Sequence, residues 1–231
     1  MNKERHAVLS ILRDKILSGN IEAGQRITEI STAEELGVSR TPIRIAFRAL
    51  ENEGLLIKLP RRGYKVRKIT KEEIIGSVEV RGVLEGLAAR LAAERGLSES
   101  TIANLEECLQ IGDSIFDKGY IDEMDIQKYV EMNSMFHASI IEASKNASIE
   151  EALKLNEHLP MSSVNSLVFN PEETEREFQR LYYAHMQHYA VAEALLSGQG
   201  ARAEALMKEH AHAALHNFER LNRAATKRIF V

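Results

Sequence analysis

Apolar residues recur at helical spacing through most of this chain, and glycines fall where the spacing breaks. An amphipathic stretch over residues 4–18 carries Val8, Leu9, Ile11, Leu12, Ile16 and Leu17, and Gly19-Asn20 and Ala23-Gly24 end it. The pattern predicts a short second helix over Glu29–Leu36, with Thr28 as its N-cap and Gly37 as its stop. Ser39 can cap a third helix, Arg40–Glu53, where Pro42 sits in the tolerant first turn and Gly54 follows the end. Leu55-Leu56-Ile57 and Tyr64-Lys65-Val66 flank Leu59-Pro60-Arg61-Arg62-Gly63, which predicts a small hairpin.

Helix, helix, short turn, helix, hairpin is the layout of a winged helix-turn-helix. From about Glu72 the texture changes to long periodic segments, near 72–95, 98–118, 122–144, 146–158, 172–197 and 201–224. Gly96, Gly119 and Gly198 separate some of them, and only Pro160 and Pro171 interrupt this part. No strand alternation of any length occurs there, so this half is expected to be an all-helical bundle. The fold expected is therefore mostly α. A winged helix-turn-helix domain over residues 1–68 joins an all-helical domain over 72–231 through a short linker around Lys68–Lys71. No internal repeat or low-complexity tract is present.

The chain's 231 residues are enough for two domains with real cores. Its net charge of −4 hides an asymmetry. Residues 1–68 hold 14 Lys and Arg against 8 Asp and Glu, and residues 69–231 hold 16 against 26. A basic half joined to an acidic one points to a nucleic-acid-binding segment attached to something else. The polar start MNKERHAV and the lack of any run near ~18 apolar residues predict a soluble, cytoplasmic chain with no membrane partner. Cys108 is the single cysteine, which excludes an internal disulfide and fits a reducing compartment.

On the third helix, Ile43, Ala46, Phe47 and Leu50 share one face, and Arg40, Arg44 and Arg48 form a separate stripe. Such a helix can pack by one side and lie in a DNA major groove by the other, where Arg reads guanine or grips phosphate. Ser39 and Thr41 at its start can donate to phosphate, helped by free backbone N–H groups. The hairpin region carries Lys58, Arg61, Arg62, Lys65, Arg67 and Lys68 with no acidic residue, and Gly63 allows the tight turn that puts Arg61 and Arg62 at the tip. A solvated basic face is the plain alternative. Stripe, turn and basic hairpin in this order favour double-stranded DNA instead.

The stretches GVSRTPIRIAFRALENEGLL and PRRGYKV resemble the N-terminal domain of the GntR family of bacterial transcription regulators, over residues 5–68. The resemblance implies operator contacts by Ser39, Arg40, Thr41, Arg44 and the wing Arg62-Gly63. Thr32 stands where that family usually has leucine, and Ile45 where an acidic residue is common.

In the second half the histidines stand out, since seven of the eight follow residue 136. Asn133 and His137 are spaced i, i+4 on one helix face; His185 and His188 share the penultimate helix; His210, His212 and His216 share the last. Imidazoles and an amide oxygen projecting from separate helices can build a metal site, although helical histidine is more often a surface or hydrogen-bonded core residue. Arg81 and Glu85, also i, i+4, fit either an intrahelical pair or an inward arginine that binds an effector carboxylate.

The segments EVRGVLEGLAARLAAERG, NSMFHASIIEASKN and QHYAVAEALLSGQGARAEALMKEH resemble the FCD ligand-sensing domain of the FadR branch. The resemblance implies a divalent metal, zinc being the expected ion, held at the positions of Asn133, His137, His188 and His210. An aspartate is usual where Asn133 stands, and a neutral amide is a weaker ligand. The arginine at position 81 is part of the same pattern and favours the effector role; Glu85 and His185 are candidates beside it, and His185 is equally a hydrogen-bonded core residue. His212 and His216 are expected to face elsewhere or to support a dimer. EVRGVLEGLAAR, the Asn in the metal-pair position and ITEISTAEELGVSR are similar to the VanR subgroup, which implies an aromatic acid effector such as vanillate.

The function expected is a homodimeric repressor, released from a palindromic operator by a small carboxylic acid. A purely metal-responsive regulator is one alternative. A metal-dependent helical-bundle enzyme with a DNA-binding appendage is another, and the lack of HExxH, nucleophile elbow or phosphate loop argues against any enzyme.

Overall fold

The computed structural model describes residues 8–9, 11–13, 15–16, 19–68, 70–156 and 173–224. Two compact units divide them. One takes the residues up to Ile75 and 217–224, and the other takes Gly76–Asn156 and 173–216.

In the first unit, residues 8–9, 11–13 and 15–16 are helical (α1), with Val8, Leu12 and Ile16 buried at helical spacing. Strand β1, Arg26–Ile27, leads into α2, Glu29–Leu36. Thr28 caps α2 by accepting from Ser31 N–H, and Gly37 ends it at φ 66°. Helix α3, Arg40–Asn52, follows after a two-residue gap that holds Val38 and Ser39. Ser39 occupies the N-cap position with extended backbone, but its side chain makes no capping bond. The expected cap is therefore positional only. Ile43, Ala46, Phe47 and Leu50 are wholly buried, as their spacing predicts.

Strands β2, Leu56–Lys58, and β3, Tyr64–Val66, form the expected hairpin, in antiparallel register Leu56↔Val66, Ile57↔Lys65 and Lys58↔Tyr64. The sheet also has a third strand that the pattern did not announce: β1 pairs on the other side of β3, Arg26↔Lys65 and Ile27↔Tyr64. Tyr64 meets Phe47 edge to face at 5.1 Å, which ties the sheet to the buried face of α3. Gly63 sits at φ 88°, and a Cβ there would fall 2.5 Å from the Ile27 carbonyl oxygen, so the turn needs glycine on both counts. The guanidinium of Arg26 donates to the Arg62 carbonyl at 2.5 Å, fixing the end of the wing to β1.

Helix α4, Lys71–Arg95, begins at a reciprocal cap in which Thr70 Oγ1 accepts from Glu73 N–H and Glu73 Oε2 accepts from Thr70 N–H. Glu73 also pairs with Arg67, so the first turn of α4 is held to the chain before it. The first compact unit runs through Ile75 and so takes in the start of α4.

The second unit adds α5, Glu99–Phe116; α6, Glu123–Ala143; α7, Ala147–Asn156; α8, Thr174–Leu196; and α9, Gly200–Ala224. Each predicted helix is present to within a few residues, and no strand occurs among the described residues of this unit. Ser98 and Asp122 cap α5 and α6. The core joins Ala88, Ala92, Leu105, Ile115, Tyr129, Phe136, Leu181, Val191 and Met207 from five helices. Helix α4 lies close against α9, because Cβ atoms at Gly82 and Gly86 would meet Ala211 Cβ at 3.3 Å and the Glu204 carbonyl oxygen at 3.1 Å.

Candidate functional site

The second unit buries a group of ionisable side chains in its interior, which no stable core tolerates without partners or a ligand. His137 on α6, His188 on α8 and His210 on α9 are all buried, and their candidate ligand nitrogens lie within 4.8 Å of one another. Amphipathic periodicity places each on the inward face of its helix, beside Tyr129, Met132, Phe136 and Val191. His188 Nε2 lies 3.2 Å from His210 Nε2, and His210 Nδ1 lies 3.0 Å from Gln187 Oε1. The ring of His188 leans on Phe136 at 4.3 Å.

Burial pushes the His188 pKa well below its ordinary value, and His210 and His137 push it further. Burial also brings His210 down to about 3, with His137 and Arg81 adding to the effect and Glu85 opposing it. Both imidazoles are therefore neutral at physiological pH, the form in which histidine is a ligand.

Arg81 and Glu85, one turn apart on α4, adjoin this cluster and are almost fully buried. Their closest atoms, Nε and Oε2, are 3.8 Å apart, an ion pair too long to be a hydrogen bond. Arg81 Nη2 also reaches the Ala211 carbonyl at 3.4 Å. Glu85 Oε1 lies 3.3 Å from His137 Nδ1, off the direction a ring N–H bond requires. Burial alone would raise the Glu85 pKa; the His137 and Arg81 charges outweigh it and bring the carboxyl to about 2, so it stays ionised. The two readings of Arg81 and Glu85 thus meet in one geometry: an intrahelical pair that also faces the cluster.

His185 is wholly buried, stacks on Phe116 at 5.5 Å and bonds Asp113 Oδ1 through Nε2 at 3.0 Å. Tyr189 donates to the other oxygen of Asp113 at 2.6 Å. The expected alternative of a hydrogen-bonded core histidine therefore describes one nitrogen of this ring. The other, Nδ1, has no hydrogen-bond partner among the described residues. The ring fits because residue 112 is glycine: a Cβ there would come within 2.0 Å of His185 Cε1. Helical periodicity carries no sign of that requirement, and Gly112 in mid-helix was its only trace.

Five buried polar atoms of this region have no hydrogen-bond partner among the described residues: Arg81 Nε, Glu85 Oε2, and Nδ1 of His137, His185 and His188. Buried polar groups are normally satisfied, so these atoms have bonding capacity left over for another group. Three imidazoles converging from three helices fit a divalent ion of the zinc class. Asn133, one turn before His137 on α6, is buried as well. His212 is exposed, as expected for a residue outside the cluster, and the side chain of His216 lies outside the described residues.

In the first unit the Arg40, Arg44 and Arg48 side chains are exposed on α3, on a separate stripe from the buried face. Arg40 makes a loose ion pair with Glu29 at 3.4 Å. Ser39 and Thr41 are both exposed at the start of α3, and Arg61 and Arg62 are exposed at the wing. Thr32 is buried and Ile45 is exposed beside the arginine stripe, so the two departures from the family pattern concern packing and the outer face respectively.

A winged helix-turn-helix followed by an all-helical unit with a buried histidine cluster is the architecture of a two-unit bacterial regulator. The chain belongs to the GntR family: residues 5–66 match the description "Bacterial regulatory proteins, gntR family", and residues 77–213 match the FCD domain. It is 31% identical over 220 residues to the HTH-type transcriptional regulator LutR of Bacillus subtilis (strain 168), covering 84% of this chain and 92% of that protein. It is 30% identical over 154 residues to a probable D-xylose utilization operon transcriptional repressor of Paenarthrobacter nicotinovorans, 64% of each chain. The chain thus spans a little under two thirds of the length of that repressor. Its fold is similar to that of E. coli McbR/YncC, with TM-score 0.63 and 21% identity over 95% of this chain and 97% of the other. The two sequence relatives carry the names of transcriptional regulators rather than enzymes. No helix among the described residues is long and apolar enough to cross a membrane.

Proposed function

We propose that this protein is a transcriptional repressor that binds operator DNA as a homodimer and is released by a small carboxylic acid. The observation that carries the reading is the pairing of an exposed arginine stripe on α3 with a buried, incompletely bonded histidine cluster in the second unit. Arg44 and Arg48 contact bases or phosphates in the major groove, Ser39, Arg40 and Thr41 hold the phosphates at the start of α3, and Arg61, Arg62 and Gly63 carry the wing to the adjacent groove. The names of relatives that act as operon repressors support the direction of control.

His137, His188 and His210, with Asn133 as a neutral fourth donor, hold a divalent ion, zinc by their chemistry. The ion supplies positive charge for an anionic effector. Arg81, Glu85 and His185 complete the effector site, and the rings of Phe116, Tyr129 and Phe136 around these histidines support an aromatic acid such as vanillate. Gel-shift titration with operator-region DNA tests the whole reading. Sequence-specific binding relieved by an aromatic acid is expected; specific binding that no small acid relieves sinks the inducer half.

One observation favours a second reading, in which the ion itself is the signal. The charge of Arg81 is already offset by Glu85, 3.8 Å away, which weakens its draw on a carboxylate. Operator affinity that changes with zinc and chelator, in the absence of any organic acid, would establish that alternative.

A further inference from the structure

Gln187 is a half-buried polar residue on α8 that neither the sequence pattern nor the proposed metal set includes. Its Oε1 lies 3.0 Å from His210 Nδ1, and the far nitrogen of that ring, Nε2, lies 3.2 Å from His188 Nε2. The two contacts form one chain, Gln187 to His210 to His188, and its protons can be counted. A carbonyl oxygen only accepts, so the Gln187 contact puts a proton on His210 Nδ1. Two ring N–H groups cannot point at each other across 3.2 Å, so only one Nε2 of the pair carries hydrogen. With the His210 proton on Nδ1, its Nε2 is bare and His188 Nε2–H is the donor. His188 Nδ1 is then a bare lone pair, and among the described residues it has no partner. An unbonded buried acceptor is less costly to the fold than an orphaned buried N–H, so the assignment is consistent at every atom.

We propose that Gln187 is the positioning residue of the histidine cluster: by accepting the Nδ1–H of His210 it turns a bare Nε2 into the cluster, and it makes His188 the donor of the His188–His210 bond. The bare nitrogen is the one a metal ion needs, and only that use of it rests on the metal reading above. An oxygen on the far side of a ligating imidazole is the usual device for fixing which nitrogen faces the ion. The same logic divides the labour between the two rings. His210 is held ready, while His188 must move its proton from Nε2 to Nδ1 before both rings can ligate through Nε2.

The test is long-range proton–nitrogen correlation spectroscopy of the histidine rings in chelator-treated full-length protein. His210 is expected in the Nδ1–H form and His188 in the Nε2–H form. In Gln187→Leu, His210 should revert to the Nε2–H form that free histidine favours, and Gln187→Glu, which keeps an acceptor oxygen, should restore the wild-type pattern. Zinc affinity, measured against a competing chelator, should fall about 10–100-fold in Gln187→Leu and recover in Gln187→Glu. An Nε2–H form for His210 in the wild type overturns the proposal, because it means the amide presents its NH2 to the ring. Unchanged ring signals in Gln187→Leu overturn it as well. A wild type that binds no zinc defeats the metal reading, while the ring signals still decide the role of Gln187.

Discussion

The imidazole of His185 on α8 occupies the space that a side chain at position 112 on α5 would fill, with only 2.0 Å between Cε1 and the Cβ an alanine would place there. Glycine inside a helix ordinarily costs about 0.5–1 kcal/mol relative to alanine. Here the ordinary gain from Gly112→Ala is reversed. The ring would have to leave its stack on Phe116 and its bond to Asp113. Chemical denaturation of Gly112→Ala should show a loss of about 1–3 kcal/mol, the usual cost of overpacking. Gly112→Ala with His185→Ala should recover part of that loss, since the smaller residue vacates the space.

Arg44 is exposed and no hydrogen bond or ion pair among the described residues ties it down, whereas Arg40 is engaged with Glu29. Arg44→Ala should therefore weaken binding to the cognate operator by about 1–3 kcal/mol and narrow the gap between specific and random DNA. Arg62→Ala should lower affinity for both and flatten its dependence on salt. Fluorescence anisotropy at several salt concentrations distinguishes the two patterns.

Zinc should stabilise the protein through the three-histidine cluster. At a free concentration 100 times the dissociation constant, the gain is about 2.7 kcal/mol, read as a higher melting temperature that chelator reverses. His137→Ala and His188→Ala should each abolish the shift. A shift that persists in both variants would place the ion elsewhere.

The metal-free protein should lose stability on mild acidification. The His210 pKa is brought down to about 3 in the folded state and the His188 pKa is also depressed, so the unfolded chain binds more protons once pH falls below the ordinary value of 6.5. The stabilising contribution of the neutral rings is present above 6.5 and is lost progressively from there towards 3. Glu85, at about 2 rather than 4.5, adds to the loss only below 4.5. Urea unfolding between neutral pH and 5 should show the histidine effect alone, and His210→Gln should reduce its slope.

Helix positions were legible in the sequence because each end carries a local signal: Thr28, Ser98 and Asp122 at starts, and Gly37, Gly54, Gly96, Gly119 and Gly198 at or after ends. Strand β1 was not, since two residues have no periodicity and their pairing with β3 lies nearly 40 residues away. In the second unit, spacing alone linked Asn133 with His137. Bringing His188 and His210 to the same point needed family resemblance, because the helices that carry them meet only in three dimensions. Gln187 and Asp113 left no local mark at all, and the vacancy at position 112 showed only as a glycine in mid-helix. Each matters through one atom of a neighbour on another helix, and sequence periodicity describes faces rather than atoms.

The glycines at 82 and 86 have a mechanical consequence. Long side chains between two helices act as a compliant layer, able to absorb a small displacement by changing rotamer. At these two positions that layer is missing, and the α4 backbone rests directly on Ala211, Glu204 and Lys208 of α9. His210 and the Ala211 carbonyl that receives Arg81 lie on the same turn of α9. A shift of α9 as small as the adjustment of one imidazole is then passed to α4 with little slack, and Arg81 and Glu85 travel with it. The contact is a stiff joint, placed where the cluster can push on it.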